Sequence, residues 1–562
     1  MINSEILRVA QNHSTKASFS LQAVILFLVA PLQVDPHHDG IILGAAIASA
    51  NSQFGPGSAF SQYGPLSPLV HGFFLDLTGS SMLNLRYFAA LNTLLISYLL
   101  FKVMSKISSK QISILTATTW VLTSAIWAAT FPGALLAWPS LISTALILMS
   151  LNLLLPIFMN RKDEYKSGHL YIYLAGVLLG LSGFARQQTW LAAALTLLLF
   201  IFFQKSYLKY SVILISGVVT SLVGMFGWLG FIGAWDSYIN QVIIWPLSAY
   251  STLGANNNYN RYQFGSYVIQ GVVFVLALYF VSTLRILRIS QQYVYLIFTS
   301  ISGLVVASGF WIAGQSSWQA AVRVTLGEPQ EKLILSFMYF GCVAAIALSG
   351  YLIPKTKMLA RQGGYEKLVL AIFGLVGVIQ LYPQPDVLHL WWIAPLVLPS
   401  AVIGFESIVR KSKRLITNDL VYVQTSFALV GIVLAIKFVL QPWVPYEVPV
   451  LNGTYSFSAK AEAINEFNQV QKYIKRGETS FDCPDGVFAV SDGNYNSADE
   501  WFVNWGMLDS EAPEVGKVRI ICYRDIGYAE SEATRLGMEL KAFVGSPNPN
   551  TTFAVLLREL SR

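Results

Sequence analysis

From its N-terminus to about residue 440 the chain alternates between long apolar runs and short polar breaks. Runs able to cross a bilayer, which takes about 17–25 residues, lie near 17–34, 85–104, 112–130, 138–158, 169–185, 188–204, 210–234, 264–284, 292–312, 332–354, 367–382, 388–408 and 419–440. The pattern predicts a polytopic α-helical membrane protein with about 13 transmembrane helices. The first run follows Arg8 and Lys16 and ends without a small-residue cleavage site, so it is read as a retained span. A short, proline-bounded stretch over Pro65–Thr78 is predicted to be a helix along the outer interface.

The cations between the runs fix an orientation. Lys102, Lys106 and Lys110 form one cluster, and Arg161, Lys162 and Lys166 the next. They are followed by Lys205 with Lys209, Arg285 with Arg288, Lys355 with Lys357 and Arg361, and Arg410 with Lys411, Lys413 and Arg414. With a cytoplasmic N-terminus every cluster falls inside, as the positive-inside rule requires. The segments 35–84, 131–137, 186–187, 235–263, 313–331 and 383–387, and the chain beyond 440, then face outward.

Residues 441–562 differ in kind: Asp, Glu, Asn and Gly occur throughout. An amphipathic helix is predicted over Ala459–Arg476, strands over Val487–Ser491, Val518–Tyr523, Leu540–Val544 and Thr552–Leu557, and a helix near Glu530–Gly537. The expected division is a membrane domain over 1–440 and a small extracytoplasmic α/β domain over 441–562. Cys483 and Cys522 form a disulfide or stay as two buried thiols; the sequence leaves both open.

Composition supports the membrane reading. The chain is 54% hydrophobic and 12% charged, with mean hydropathy +0.54, whereas soluble domains carry about 25% charged residues. A net charge of +7 spread as clusters between spans is a topology signal and implies no nucleic-acid partner. No Cys/His spacing matches a zinc site.

Chemistry concentrates in the first outer loop. Asp35-Pro36-His37-His38-Asp39-Gly40 follows the first span directly, and ionisable groups at a membrane boundary are functional candidates. Asp35 or Asp39 would act as a general base, with His37 and His38 holding an acceptor. Asp35, His38 and Asp39 also permit a divalent cation without requiring one. A polar turn leaving the membrane, with Pro36 and Gly40 as turn residues, accounts for the same residues without chemistry. The loop continues through an amphipathic stretch, Ile41–Asn51, and through Gly55-Pro56-Gly57 to Gln62-Tyr63-Gly64-Pro65-Leu66. Such a connector of about 50 residues is uncommon unless it functions.

An acidic Asp-x-His-His-Asp-Gly loop after the first span, followed by Gln-Tyr-Gly-Pro-Leu, resembles the bacterial GT-C superfamily of membrane glycosyltransferases, relatives of the protein mannosyltransferases and the lipid A aminoarabinose transferases. The resemblance covers roughly residues 17–440, with weaker matches at Gly183–Gln188 and Tyr382–His389. It implies a GT-C-like membrane domain, a first-loop carboxylate in catalysis and a polyprenyl-phosphate sugar as donor. Carried over, Asp35 or Asp39 is the base, and the acceptor is a glycan, lipid or protein outside the bacterial inner membrane. The tail matches no family.

The outer cations are scarce, and a lipid phosphate needs one, preferably the two-pronged fork of arginine. Arg186, in a tight turn between two spans beside Gln187 and Gln188, is the leading phosphate ligand, with Arg86 and Arg323 as further candidates. Arg86 has a second reading as a structural partner of Asp39 or Asp76, and Arg261 as a solvated charge. Gln62, Tyr63, Asp386 and His389 are expected to bind substrate, although Asp386 also suits a helix N-cap. Tryptophans 138, 190, 235, 245, 311, 318, 391, 392 and 443 fall toward the outer side, and Trp120 nearer the inside. The bias fits a carbohydrate-facing cavity or a one-sided anchor belt, and Asn256, Asn257, Asn258 and Asn260 suit sugar hydroxyls or solvent. A multi-span transporter is the main alternative, but no internal repeat is visible and the acidic cluster is peripheral.

Overall fold

The structure, a computed structural model, describes residues 2–32, 36–50, 63–130, 135–159, 168–203, 207–244, 328–355, 359, 365–381, 387–410, 425, 428–429, 432, 435–436, 439–450, 453–475, 478–481, 515–522, 526–545 and 553–558. Expected spans at 264–284 and 292–312, and most of 419–440, lie outside them. So do Asp35, Gln62, Arg261, Arg323, Asp386, the strand at 487–491 and Cys483.

Helices account for the membrane part: α1 Ile2–Val29, α2 Pro36–Ala50, α3 Leu66–Thr78, α4 Met82–Met104, α5 Lys110–Thr130, α6 Pro139–Phe158, α7 Gly168–Ala185, α8 Trp190–Phe203, α9 Tyr207–Phe231, α10 Trp235–Tyr238, α11 Glu328–Leu352, α12 Tyr365–Ile379 and α13 Val387–Arg410. Among the described residues, Met82–Met104, Pro139–Phe158, Gly168–Ala185 and Leu208–Phe231 are long and apolar enough to cross a membrane. On α9, Leu208, Val212, Ile215, Val219 and Val223 stay exposed at helical spacing, which is a stable arrangement only where that stripe meets hydrocarbon.

The helices associate through small residues and buried polar contacts, as bilayers require when lipid supplies no hydrophobic drive. Gly176 and Gly217 bring α7 and α9 together: a Cβ on Gly176 would strike the Leu214 carbonyl, and one on Gly217 the Tyr173 carbonyl. Gln22 of α1 donates to Thr118 Oγ1 of α5 at 2.9 Å and accepts from Ser97 Oγ of α4 at 2.6 Å. Trp120 of α5 and Trp391 of α13 stack at 5.1 Å, and each indole N–H donates to the other's carbonyl, at 3.1 and 3.3 Å. The sequence places Trp120 nearer the inside and Trp391 toward the outer side; their stacking puts both at one level of the helix bundle.

From Pro36 onward the motif of the first loop is helical, where a polar turn is one reading of the sequence. Pro36 begins α2 and Asp39 lies in its first turn; proline's fixed φ and missing N–H suit a helix start, and a carboxylate there meets the positive end of the helix dipole. The predicted helix over Pro65–Thr78 is α3, which packs on α2 through Gly72, where a Cβ would come 2.8 Å from the Ala46 carbonyl.

Beyond residue 440 strands appear. An antiparallel hairpin, β1 Trp443–Val450 with β2 Gly453–Lys460, precedes α14 Ala461–Gln471. A four-stranded sheet follows, from β3 Thr479–Phe481, β4 Val518–Cys522, β5 Glu539–Val544 and β6 Phe553–Leu557, in the order β3-β4-β6-β5, with α15 Ile526–Leu536 between β4 and β5. The hairpin and β3 were not expected from the sequence. The other described strands and both helices match their predicted places.

Candidate active site

Arg186 is buried at 1% exposure between α7 and a 3-10 turn, Gln187–Thr189. The turn exists because α7 ends at Ala185 and Arg186 adopts extended φ/ψ. Its carbonyl accepts from Thr189 N at 3.0 Å and Thr189 Oγ1 at 2.7 Å, which closes the loop. The guanidinium is spread across three elements. Nε donates to Gln188 Oε1 at 2.7 Å, Nη1 to Ser140 Oγ at the start of α6, and Nη2 to the Gln380 carbonyl after α12 at 2.7 Å. These three acceptors are neutral oxygens that orient the fork. Gln187 points elsewhere, donating to the Val242 carbonyl at 2.8 Å in a π-helical turn, Ile239–Ile244.

Tyr63 covers the guanidinium. Its ring centroid lies 5.7 Å from Arg186 Cζ, within cation–π range. Gly64 makes this approach possible: its φ is +109°, and a Cβ there would run into the Phe184 carbonyl at the end of α7. Tyr63 meets Trp138 edge-on at 5.5 Å, Trp138 stacks on Trp392 at 5.0 Å, and Trp392 meets His389 at 4.9 Å. One aromatic row therefore joins Tyr63 of the first outer loop, Arg186 and His389, which lie far apart in the chain. Trp392 Nε1 is buried without a hydrogen-bond partner among the described residues, and Thr144 of α6 donates to the Trp392 carbonyl at 3.2 Å.

Asp39 and Arg86 form a second centre. Arg86, 2% exposed on α4, donates through Nε and Nη2 to Asp39 Oδ2 at 3.0 and 2.7 Å, and Asp39 is 1% exposed. Its Nη1 donates to the carbonyls of Ala30 and Leu32 at 3.3 and 2.9 Å. Of the two readings of Arg86, the partner of Asp39 is the one the structure contains. His37 and His38 lie in the first turn of α2. Among the described residues no group of three His, Cys, Asp or Glu is disposed to hold a metal ion.

No family model and no curated protein matches the chain. Solved structures are similar to it in overall arrangement. The crystal structure of ArnT from Cupriavidus metallidurans bound to undecaprenyl phosphate superposes with a TM-score of 0.45 at 12% identity, over 97% of this chain and 98% of that one. The archaeal oligosaccharyltransferase AglB from Archaeoglobus fulgidus, in complex with an inhibitory peptide and a dolichol-phosphate, superposes with a TM-score of 0.43 at 11% identity, over 90% of this chain and 61% of that one. Likeness at this level leaves the chemistry to be read from the chain's own residues.

The site residues that sequence reasoning missed are Ser140 and Gln380. Ser140 carried a faint signal, a hydroxyl beside the Trp138-Pro139 helix start. Gln380 acts through its backbone carbonyl, which no side-chain pattern announces.

Proposed function

We propose that the chain is a membrane glycosyltransferase that moves a sugar from a polyprenyl phosphate to a hydroxyl outside the bacterial inner membrane. The observation that carries the reading is Tyr63, from the loop that holds the acidic motif, seated on the buried guanidinium of Arg186. A base-bearing loop held against a buried cation is what displacement of a phosphate leaving group requires. The first-loop resemblance points to the same chemistry.

In this reading Arg186 binds the phosphate of the lipid donor. Gln188, Ser140 and the Gln380 carbonyl aim its fork. The acceptor hydroxyl attacks the anomeric carbon and gives its proton to Asp35. The anomeric C–O bond to phosphate breaks, and the polyprenyl phosphate leaves with the electron pair, stabilised by Arg186. A single displacement inverts the anomeric centre.

Asp35 is assigned as base because Asp39 Oδ2 is committed to Arg86, and an ion-paired carboxylate is a weak proton acceptor. Arg86 is accordingly a positioning group rather than a phosphate ligand. A divalent cation at this loop would draw on Asp35 and His38 and not on that oxygen of Asp39. Tyr63, Trp138 and His389 line the sugar's approach. Arg323, Gln62 and Asp386 keep the roles the sequence suggests, as further phosphate and substrate contacts.

The test is a comparison of envelope glycans from cells with the wild-type chain, without it, and with Asp35→Asn or Arg186→Gln at equal membrane levels. Loss of one glycan modification in the deletion and in both variants supports the transferase. Glycans that stay unchanged in all three contradict it, and a modification lost in the deletion but kept in both variants favours a transporter.

A further inference from the structure

The end of α1 is gripped from two sides. Three successive carbonyls accept hydrogen bonds from distant parts of the chain: Ala30 and Leu32 from Arg86 Nη1, and Pro31 from the backbone N–H of Ser458 at 3.2 Å. Leu32 and Ser458 form a parallel bridge, so strand β2 of the C-terminal hairpin continues onto the chain leaving α1. On the far side of residues 33–35, the same guanidinium holds Asp39 in the first turn of α2. One arginine thus fastens both flanks of the first-loop motif, and the C-terminal hairpin fastens one of them independently.

Energetics favour this as a rigid device. A buried arginine with two N–H groups on one carboxylate oxygen and a third nitrogen shared by two carbonyls has little freedom to rearrange, and losing either charge strands the other in a buried place. Backbone bonding through Ser458 is independent of side-chain identity, so the hairpin can hold α1 whatever lies on its outer face. The hairpin is itself anchored to the following helix by Tyr446 Oη donating to Gln471 Oε1 at 2.6 Å. That contact extends the connection into the C-terminal α/β unit.

We infer that the C-terminal unit is a positioning element for the first outer loop, acting through strand β2 on Pro31–Leu32, with Arg86 as the positioning residue that couples the end of α1 to the start of α2. Its effect on sugar transfer rests on the proposed function, but its effect on loop rigidity does not. Motion of the C-terminal unit, for example on engaging an acceptor, is then transmitted to the acidic motif through one backbone bridge.

The experiment compares the full-length wild type with Arg86→Gln, Arg86→Lys, Ser458→Pro and Ser458→Ala. Proline deletes the bridging N–H and alanine keeps it. Amide hydrogen exchange over residues 28–32 and 39–45, undecaprenyl phosphate affinity and glycan product in cells are read for each. Expected are exchange faster by at least ~10-fold in Arg86→Gln and Ser458→Pro, loss of product in both, and affinity for undecaprenyl phosphate within about 2-fold of wild type. Ser458→Ala should exchange as the wild type does, and Arg86→Lys should recover part of the product. Retained affinity excludes simple unfolding, and Arg86→Gln decides the case should proline unravel the hairpin. Unchanged exchange in both Arg86→Gln and Ser458→Pro, or faster exchange with full product, overturns the inference. A wild-type chain that makes no product defeats the transferase reading alone, and the exchange measurements still decide the clamp.

Discussion

The ring of Tyr63 lies 5.7 Å from the guanidinium carbon of Arg186, although the two residues lie far apart in the chain. A tyrosine face over a partly desolvated guanidinium contributes about 0.5–2 kcal/mol, and it also blocks water from one side of the cation. Tyr63→Phe keeps the ring and is expected to keep undecaprenyl phosphate affinity. Tyr63→Ala removes it and should weaken affinity by roughly 3–30-fold, the range that this energy implies. Titration of both purified variants checks the difference.

Gly64 is the hinge of this contact. Its φ of +109° disfavours any side chain, and the Phe184 carbonyl occupies the space a Cβ needs. Gly64→Ala should cost about 1–3 kcal/mol and move Tyr63 away from Arg186. A lower thermal midpoint together with affinity resembling Tyr63→Ala is the expected pair of results.

The α7–α9 crossing gives a prediction about assembly. Gly176→Leu or Gly217→Leu puts a side chain against the facing backbone and should destabilise by more than about 1–3 kcal/mol, because backbone cannot yield as a side chain does. Gly224→Ala, on the same helix α9 with nothing within 4 Å of its Cβ, should be tolerated. Thermal midpoints of the detergent-solubilised variants test the contrast.

How legible this was depends on where the physics is local. The four described helices of bilayer length could be read because apolar runs of that length are too costly to leave in water. Arg186 stood out as a cation that the positive-inside pattern does not ask for. Residues Pro36 to Gly40 were ambiguous because proline serves equally as a turn residue and as the first residue of a helix. The choice between these came from α3 and α4, which pack on α2. The pairing of Trp120 with Trp391 was hidden because counting along a helix cannot reveal a stacking partner on another helix. The hairpin was hidden by Pro445 and Pro449, which argue against a strand. In a two-stranded ribbon paired to Ser458 and Thr454, prolines are tolerated because a missing N–H can face away from the partner. Ser140 and the Gln380 carbonyl became site residues only through tertiary approach.

The C-terminal unit should respond to acid through Glu532. Hydrogen bonding from Arg535, at 2.7 and 2.5 Å, holds this carboxyl below its ordinary value, and buried Arg519 adds attraction from 3.5 Å. Because the folded value is depressed, the stabilisation is complete above the ordinary carboxylate pKa, near 4.5, and is lost as pH falls through the folded value. Glu532→Gln removes the negative charge that faces Arg535 and Arg519 and should cost about 1.5–3 kcal/mol at neutral pH. It should also flatten the acid limb of the stability profile. Thermal melts of the wild type and the variant between pH 3 and 7 check both effects.

The central claim is that Arg186 holds the phosphate of a polyprenyl carrier, and its most direct test is titration of undecaprenyl phosphate into the purified wild type and Arg186→Gln in the same lipid nanodiscs. Loss of one charge-assisted phosphate contact is worth about 1.5–3 kcal/mol, so the account predicts affinity weaker by at least ~10-fold in Arg186→Gln, read at a temperature below the lowered thermal midpoint that losing the contacts to Gln188, Ser140 and Gln380 entails. Equal affinity in the two proteins would contradict it.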